Sequence, residues 1–200
     1  MGSSNRTAAE STMPDAWVFL VASYLDVAEA EADFEALRQS YVDLGEAPAF
    51  DAVTIGRKAS GEVRFHRERD RSQGSAEDDD TAPPSLAAGL TAALFPSVTA
   101  DVPAGRLGER ETLGTVAGAV VAALGRSDLN ELGRHLDSSL AGLIAFAAAE
   151  QQERIRVVLT NAHATMARVA LLDIGKIVRT TDNLSRAASK RRRKASEPPR

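Results

Sequence analysis

The chain has 200 residues and no cysteine, and its 24 basic and 28 acidic residues give a net charge of −4 when the histidines are neutral. The missing cysteines exclude disulfide frameworks, thiolate metal sites and cysteine nucleophiles. With 44% hydrophobic and 26% charged residues, the composition is that of a globular protein, and the length suits one domain with tails.

The first third of the chain predicts a strand, a helix and a hairpin. Residues 17–24 (WVFLVASY) form a short apolar run that is typical of a buried strand. Apolar residues then recur at helical spacing over residues 27–44, and Asp26 can cap the first turn of this helix. Residues 50–57 and 62–69 alternate apolar and polar side chains around a glycine-containing connection, which predicts a β-hairpin.

The composition changes twice in the middle of the chain. Residues 71–84 contain an acidic run and two prolines without apolar periodicity, which predicts a mobile loop. Residues 85–125 are rich in alanine and glycine and predict an inserted helical hairpin, in which Gly114, Gly118 and Ala122 share one helix face. Three interpretations of these small residues stay open: close packing within the chain, self-association, and insertion into a membrane.

The remainder of the domain predicts a helix, a strand, a second helix and a last strand. Asp128 and Glu131 have the spacing of a capping box and predict the start of a helix. Residues 138–149 form the second strongly apolar run, whose centre, residues 143–146, predicts a strand with open ends, and residues 166–172 predict the last strand. An apolar stripe between these two runs predicts the helix that connects them.

The order of these elements predicts an α+β fold for residues 16–172, preceded by a disordered tail over residues 1–15. We expect a ferredoxin-like sheet with its helices on one face and with the Ala/Gly-rich helical hairpin inserted. A sheet that leaves an apolar face open usually finds a second subunit. The sequence therefore predicts a homo-oligomer.

The C-terminal end carries the opposite charge to the rest of the chain. Residues 173–186 predict an amphipathic helix, and residues 187–200 predict a disordered basic tail. Seven basic residues and one acid give residues 184–200 a charge of +6, so the net charge of −4 leaves −10 for the rest. The candidate anion-binding residues are Arg186, Lys190, Arg191, Arg192, Arg193 and Lys194.

These basic residues predict nonspecific attraction to nucleic acid or to an anionic membrane. No aromatic residue is interleaved among them to stack on bases. Contacts to nucleic acid would therefore be made to phosphates and without sequence preference. The alternative is a solvated charged end that has no partner.

No catalytic constellation occurs in the sequence. His66, His135 and His163 are separated by 69 and 28 residues, which fits none of the spacings used by metal ligands on one helix or strand. The chain has neither G-x-S-x-G nor G-x-G-x-x-G nor a complete Walker loop. We therefore expect no enzyme, and no catalytic, cofactor-binding or metal-binding residues.

Five segments carry a family resemblance: VASYLDVAEAEADFEALRQ, KASGEVRFHRERD, AAGLTAALFP, LGTVAGAVVAALG and LNELGRHLDSSLAGLIAF. Together they resemble a bacterial family of unknown function described as predicted membrane proteins, over residues 16–172. The resemblance implies ferredoxin-like halves around a glycine-rich helical hairpin, and it implies no chemistry. The insert of this chain is shorter than is typical of that family, and it is interrupted by the charged residues Asp101, Arg106, Glu109, Arg110 and Glu111.

The sequence thus predicts a non-catalytic interaction or assembly module that self-associates and uses its basic end for anionic partners. The alternatives are a peripheral membrane protein, and a small-ligand binder or enzyme with a site between subunits. The longest apolar runs, residues 86–95 and 113–124, are shorter than the roughly 20 residues of a spanning helix. Because no secretory signal is recognisable, we expect a cytoplasmic protein, with peripheral attachment to the membrane as the alternative.

Overall fold

The computed structural model describes residues 16–42, 50–68, 85–96 and 107–195. Within these ranges the protein has an α+β fold, as predicted, with a five-stranded antiparallel sheet and five α-helices. The strands are β1 (Ala16–Tyr24), β2 (Phe50–Arg57), β3 (Val63–Glu68), β4 (Ala141–Ala148) and β5 (Ala164–Leu171). The helices are α1 (Val27–Val42), α2 (Leu86–Leu94), α3 (Leu107–Asp137), α4 (Gln152–Val158) and α5 (Ile174–Ala195). The predicted N-terminal tail and the predicted acidic loop lie outside the described residues.

The strands lie in the order β3-β2-β4-β1-β5, and every neighbouring pair is antiparallel. β4 therefore separates β1 from β2, and Phe146 of β4 pairs with Phe19 on one side and with Asp51 on the other. Helix α1 links β1 to β2, and helix α4 links β4 to β5, so two split β-α-β units interleave in one sheet. The ferredoxin-like detail of the expected fold stays a prediction.

Helices cover both faces of the sheet, which corrects the prediction that they lie on one face. Trp17, Phe19 and Val21 of β1 pack in one apolar cluster with α2, α3 and α5. Val18 and Leu20 pack in a second cluster with α1 and α4. Since β1 and β4 are apolar at almost every position, both of their sides must be covered. The centre of the sheet therefore offers no open apolar face to a second subunit.

Helix α1 begins where its sequence predicts. The Asp26 carboxylate accepts a hydrogen bond from the backbone N–H of Glu29 at 2.9 Å, which caps the first turn. Apolar residues at steps of three and four face the sheet, as helical periodicity requires. They are Ala30, Phe34, Leu37 and Tyr41.

Helices α2 and α3 form the alanine- and glycine-rich part of the fold, and β2 positions its start. The Ser85 hydroxyl caps α2 by accepting from the Ala88 N–H at 3.0 Å. The Asp51 carboxylate of β2 accepts from the Ser85 hydroxyl at 2.9 Å and from the Ala87 N–H at 3.0 Å. Helix α3 consists of two segments that meet at Gly125, whose φ of 76° and ψ of 166° favour glycine.

Helix α5 is longer than the sequence analysis predicts. The sequence predicts a disordered basic tail from residue 187, whereas the structure continues the helix to Ala195. Arginine, alanine and lysine dominate residues 186–195, and these residues have high helix propensity. Neither glycine nor proline occurs between Lys176 and Ala195 to end the helix. The candidate anion-binding residues therefore stand on a helix.

Candidate interaction surfaces

Helix α5 presents a basic side to solvent. Ile177 and Thr181 are buried against the body, which fixes the rotation of the helix about its axis. Lys176, Arg179 and Arg186 are exposed. The backbone N–H of Lys176 donates to the Asp173 carboxylate at 2.8 Å, which caps the first turn of α5.

The sequence of α5 adds further basic residues toward the C-terminus. At 3.6 residues per turn, Arg179 and Arg186 fall on the side of α5 opposite the buried pair, about 10 Å apart along the helix axis. Lys190, Arg191, Arg192, Arg193 and Lys194 follow in the sequence of the last turns. Asp182 is the one acid in the sequence of α5. We name the exposed cations Lys176, Arg179 and Arg186, together with the five basic residues at positions 190–194, the basic side of α5.

The small residues predicted for self-association lie on the exposed side of α3. Gly114, Gly118 and Ala122 are exposed, and no described atom lies within 4 Å of a Cβ placed at either glycine. Within the described residues these small side chains therefore make no close contact inside the chain, and their assignment to self-association stays a prediction. The buried residues of α3 stand two positions further on, about 200° around the helix. They are Val116, Val120 and Leu124.

The close helix contact is made instead by Gly89 of α2, which the sequence analysis did not single out. A Cβ at Gly89 would overlap Cγ1 of Val116 and would lie 3.0 Å from its Cβ. Every residue from Leu86 to Ala92 is buried, Gly89 included. The sequence does contain a signal for this contact: Gly89 lies in the middle of a helix that is apolar on all sides. Such a helix packs on several sides at once, so a glycine within it indicates a close helix contact.

The two outer strands of the sheet differ in character. In β3, Arg64 and His66 are exposed, and each pairs with a carboxylate: Arg64 Nη2 lies 2.9 Å from Glu62 Oε1, and His66 Nδ1 lies 3.1 Å from Glu31 Oε1. β3 is therefore covered by charged side chains. Such charges are a common protection of outer strands against pairing with other chains.

β5 lacks this protection on the side that faces α1 and α4. Val169 pairs with the buried Val18, and Leu171 pairs with Ala16. Val169 is nevertheless 54% exposed and Leu171 is 74% exposed. Two apolar side chains of a regular outer strand thus lie in solvent, on one side of the sheet.

Arg168 of β5 points the other way, toward α3. Its Nε donates to the Asp128 carboxylate at 3.2 Å, and its guanidinium also binds the Glu131 carboxylate. The two acids predicted to form a capping box therefore hold this arginine. The group connects β5 to the second segment of α3.

A buried polar group joins β1, α1 and the turn before β5. The Tyr24 hydroxyl donates to the Asp33 carboxylate at 3.0 Å. The side-chain amide of Asn161 donates to the same carboxylate at 2.8 Å, and the backbone N–H of Asn161 donates at 3.1 Å. Burial, together with the Asp33 charge, raises the pKa of Tyr24. Because the Tyr24 hydroxyl stays protonated and donates a hydrogen bond to Asp33, the group links β1 to α1 structurally.

A surface groove of about 320 Å³ lies between the end of α2 and the second segment of α3. Its lining has one cation, Arg134, and one acid, Asp137, beside apolar residues and Asn130. None of the described residues that line it is a serine, histidine, lysine or tyrosine. The groove therefore does not bring a nucleophile and a base together.

The histidines do not converge. His66 is exposed beside Glu31, and Nε2 of His135 is buried without a hydrogen-bond partner in the described part of the chain. His163 is exposed, and its backbone N–H donates to the Ser23 carbonyl at 2.9 Å. Among residues 16–42, 50–68, 85–96 and 107–195, no three His, Cys, Asp or Glu side chains are placed to hold a metal ion.

No family model matches the chain, and neither a curated protein nor a solved structure matches it. The family resemblance of residues 16–172 therefore stays a prediction. None of the described helices is both long and apolar enough to cross a membrane.

Proposed function

We propose that the protein is a non-catalytic assembly module that self-associates and binds polyanions through the basic side of α5. The observation that carries this proposal is the helix itself. It is anchored to the body by Ile177 and Thr181, and Arg179 and Arg186 are exposed. A helix holds its cations at fixed spacing, so less conformational entropy is lost on binding than with a disordered tail.

Nucleic acid is the polyanion that suits this helix best. The apolar side of α5 packs on α3, and Ile177 belongs to the larger apolar cluster. The first turns of α5 therefore have no free apolar side to enter a bilayer, which helices that lie on membranes require. Since α5 contains no aromatic residue, its contacts would be made to phosphates.

The charge of the remaining chain also favours a nucleic-acid backbone over a flat anionic membrane as the partner. Outside residues 184–200 the net charge is −10, so a flat anionic surface would meet repulsion wherever it approached the body. A nucleic-acid backbone that contacts only α5 stays farther from these acids, and screening over about 8 Å at physiological salt weakens what repulsion remains. Peripheral membrane association is the alternative that the experiment must separate.

The test measures binding to a labelled DNA duplex of arbitrary sequence at several salt concentrations. We expect the affinity to fall steeply with salt, and the variant R186Q/K190Q to lower the slope of log affinity against log salt by about two. The matched control K58Q/R154Q removes two exposed cations elsewhere, one in the turn between β2 and β3 and one on α4. It should leave the slope unchanged.

The outcomes separate three explanations of binding. Equal losses in R186Q/K190Q and K58Q/R154Q would show that net charge carries the binding, and the proposal would be wrong. Binding to vesicles that contain phosphatidylserine, without binding to DNA, would show that the partner is an anionic membrane and not nucleic acid. A duplex bound by the wild type and lost specifically in R186Q/K190Q supports the proposal.

Self-association is the second part of the proposal, and two exposed surfaces are available for it. One is the small-residue side of α3, where Gly114, Gly118 and Ala122 would let a helix of another copy approach closely. The other is the outer edge of β5. Light scattering gives the mass of the particle in solution, and Gly118→Leu should weaken an oligomer only if α3 forms the contact.

A further inference from the structure

We propose that β5 is the self-association surface: it pairs antiparallel with β5 of a second copy, so that two five-stranded sheets become one. This inference rests on the self-association part of the proposed function, and it names both the surface and the partner. A second strand would complete the backbone hydrogen bonds along the outer edge of β5.

The first argument is the difference between the two outer strands. Ionisable residues occupy four of the six positions of β3, and its pairing with β2 is irregular at Thr54/Ile55. In β5 (ATMARVAL) one of the eight residues is ionisable, proline is absent, and the register with β1 is continuous. Charges and irregular pairing prevent strand addition, whereas a regular apolar edge invites it.

The second argument concerns the one charged residue of β5. The Arg168 side chain lies on the α3 side of the sheet, where the Asp128 and Glu131 carboxylates neutralise its charge. It therefore places no free charge beside the outer edge of the strand. Two copies of β5 can approach each other without the repulsion that like charges on facing strands would cause.

The third argument is that β5 is complementary to itself. An antiparallel pair of identical strands has two-fold symmetry, so each strand offers the other the donors and acceptors that it needs. A pairing centred on Arg168 would use residues 165–171 and would place Val169 opposite Ala167 of the second copy. Val169 and Leu171 of both copies would then lie on the same side of the joined sheet and cover apolar surface that is now exposed.

The joined sheet would also bring two basic helices to one side. The two-fold axis of an antiparallel edge pair is perpendicular to the sheet, so the face covered by α2, α3 and α5 lies on the same side in both copies. One long polyanion could contact both α5 helices. Two linked contacts bind more tightly than one, because the second contact is intramolecular.

The test is the mass of the full chain by light scattering across the micromolar range. We expect a dimer for the wild type and a monomer for Val169→Lys, which adds a charge at the outer strand where the side chain is already half exposed. The matched control is Leu140→Lys: Leu140 is 59% exposed and lies beside β2, where its carbonyl accepts from the Arg57 N–H at 2.8 Å. Leu140→Lys and Gly118→Leu should both remain dimers.

Amide hydrogen exchange gives a second readout that does not depend on a variant. The β5 amides of the wild type should exchange more slowly at high protein concentration than at low concentration, and the β3 amides should not change. A wild type that stays monomeric, a Val169→Lys dimer, or β5 exchange that is independent of concentration would each overturn the proposal. If Gly118→Leu loses the dimer and Val169→Lys keeps it, the contact is formed by α3 and not by β5.

The two proposals fail in different measurements. A monomeric Val169→Lys protein should still bind a short duplex like the wild type but should bind a long duplex more weakly, because it presents one basic helix. The R186Q/K190Q variant should still dimerise. Loss of duplex binding in a protein that still dimerises therefore concerns α5, and loss of the dimer in a protein that still binds DNA concerns β5.

Discussion

β1 and β5 are hydrogen-bonded neighbours, and both are strongly apolar, but only β1 is enclosed. Every residue of β1 after Ala16 is buried, whereas Ala170 is the one buried residue of β5. β1 has a strand on each side and helices over both faces, and β5 has a described strand on one side. An apolar residue of β1 therefore stabilises the fold, while Val169 and Leu171 are available to a partner.

The largest effect on stability is expected at the buried polar group where β1 ends. Asp33 is 1% exposed and accepts hydrogen bonds from Tyr24 and Asn161. In Asp33→Ala the buried Tyr24 hydroxyl and the two Asn161 donors lose their acceptor, so the free energy of unfolding should fall by about 3 kcal/mol. Urea denaturation measures it. The control Asp137→Ala removes an exposed carboxylate and should change stability by less than about 0.5 kcal/mol.

The next effect contrasts a buried glycine with an exposed one. Gly89→Val would force side-chain atoms into Val116 and should cost about 1–3 kcal/mol of unfolding free energy. Gly118→Ala has free space and a helical backbone, so it should stabilise the protein by about 0.5–1 kcal/mol. Thermal or urea unfolding of the two variants gives the sign of each change in unfolding free energy. Equal destabilisation of both would contradict the assignment of Gly89 as the close contact.

A smaller effect is expected from Tyr24 at high pH. Its pKa is raised by burial and by Asp33, so the folded state keeps a proton that the unfolded chain loses above its ordinary pKa of 10.0. The free energy of unfolding should therefore fall as the pH rises above about 10, by at most about 1.4 kcal/mol per pH unit from this residue. In Tyr24→Phe this contribution is missing, so stability should depend less on pH in that range. Urea midpoints from about pH 8 to about pH 11 compare the two proteins.

The smallest effect on folding is expected at the outer strand. Val169→Thr keeps a β-branched side chain at a half-exposed position, so the free energy of unfolding should stay within about 0.5 kcal/mol of the wild type when measured on the monomer. The same substitution should weaken the dimer, because it removes apolar surface from the contact. A large loss of monomer stability would show that Val169 serves the core, and the contrast between β1 and β5 would be wrong.

The exposed side of α3 shows where local patterns stop being informative. The spacing of Gly114, Gly118 and Ala122 states correctly that they share one side of a helix. The same spacing does not predict whether that side of the helix is buried against the core. Val116, Val120 and Leu124 occupy the opposite side, and burying their larger apolar surface is more favourable, so the small residues are left exposed.

The basic end of the chain shows the reverse. Its charge is plain from the sequence, but its helical state is not, because a charge run without apolar spacing is also typical of disordered segments. Residues 186–195 have high helix propensity, and they continue a helix that begins at Ile174.

The sequence by itself determined the α+β composition, the cap at Asp26 and the position of the basic residues, because each depends on neighbours within a few positions in the chain. Only the tertiary structure decided that helices cover both faces of the sheet, that Arg168 turns to Asp128 and Glu131, and that β5 rather than β1 is an outer strand. These features depend on residues far apart in sequence. Strand order decides which apolar residues are enclosed and which, like Val169 and Leu171, stay exposed.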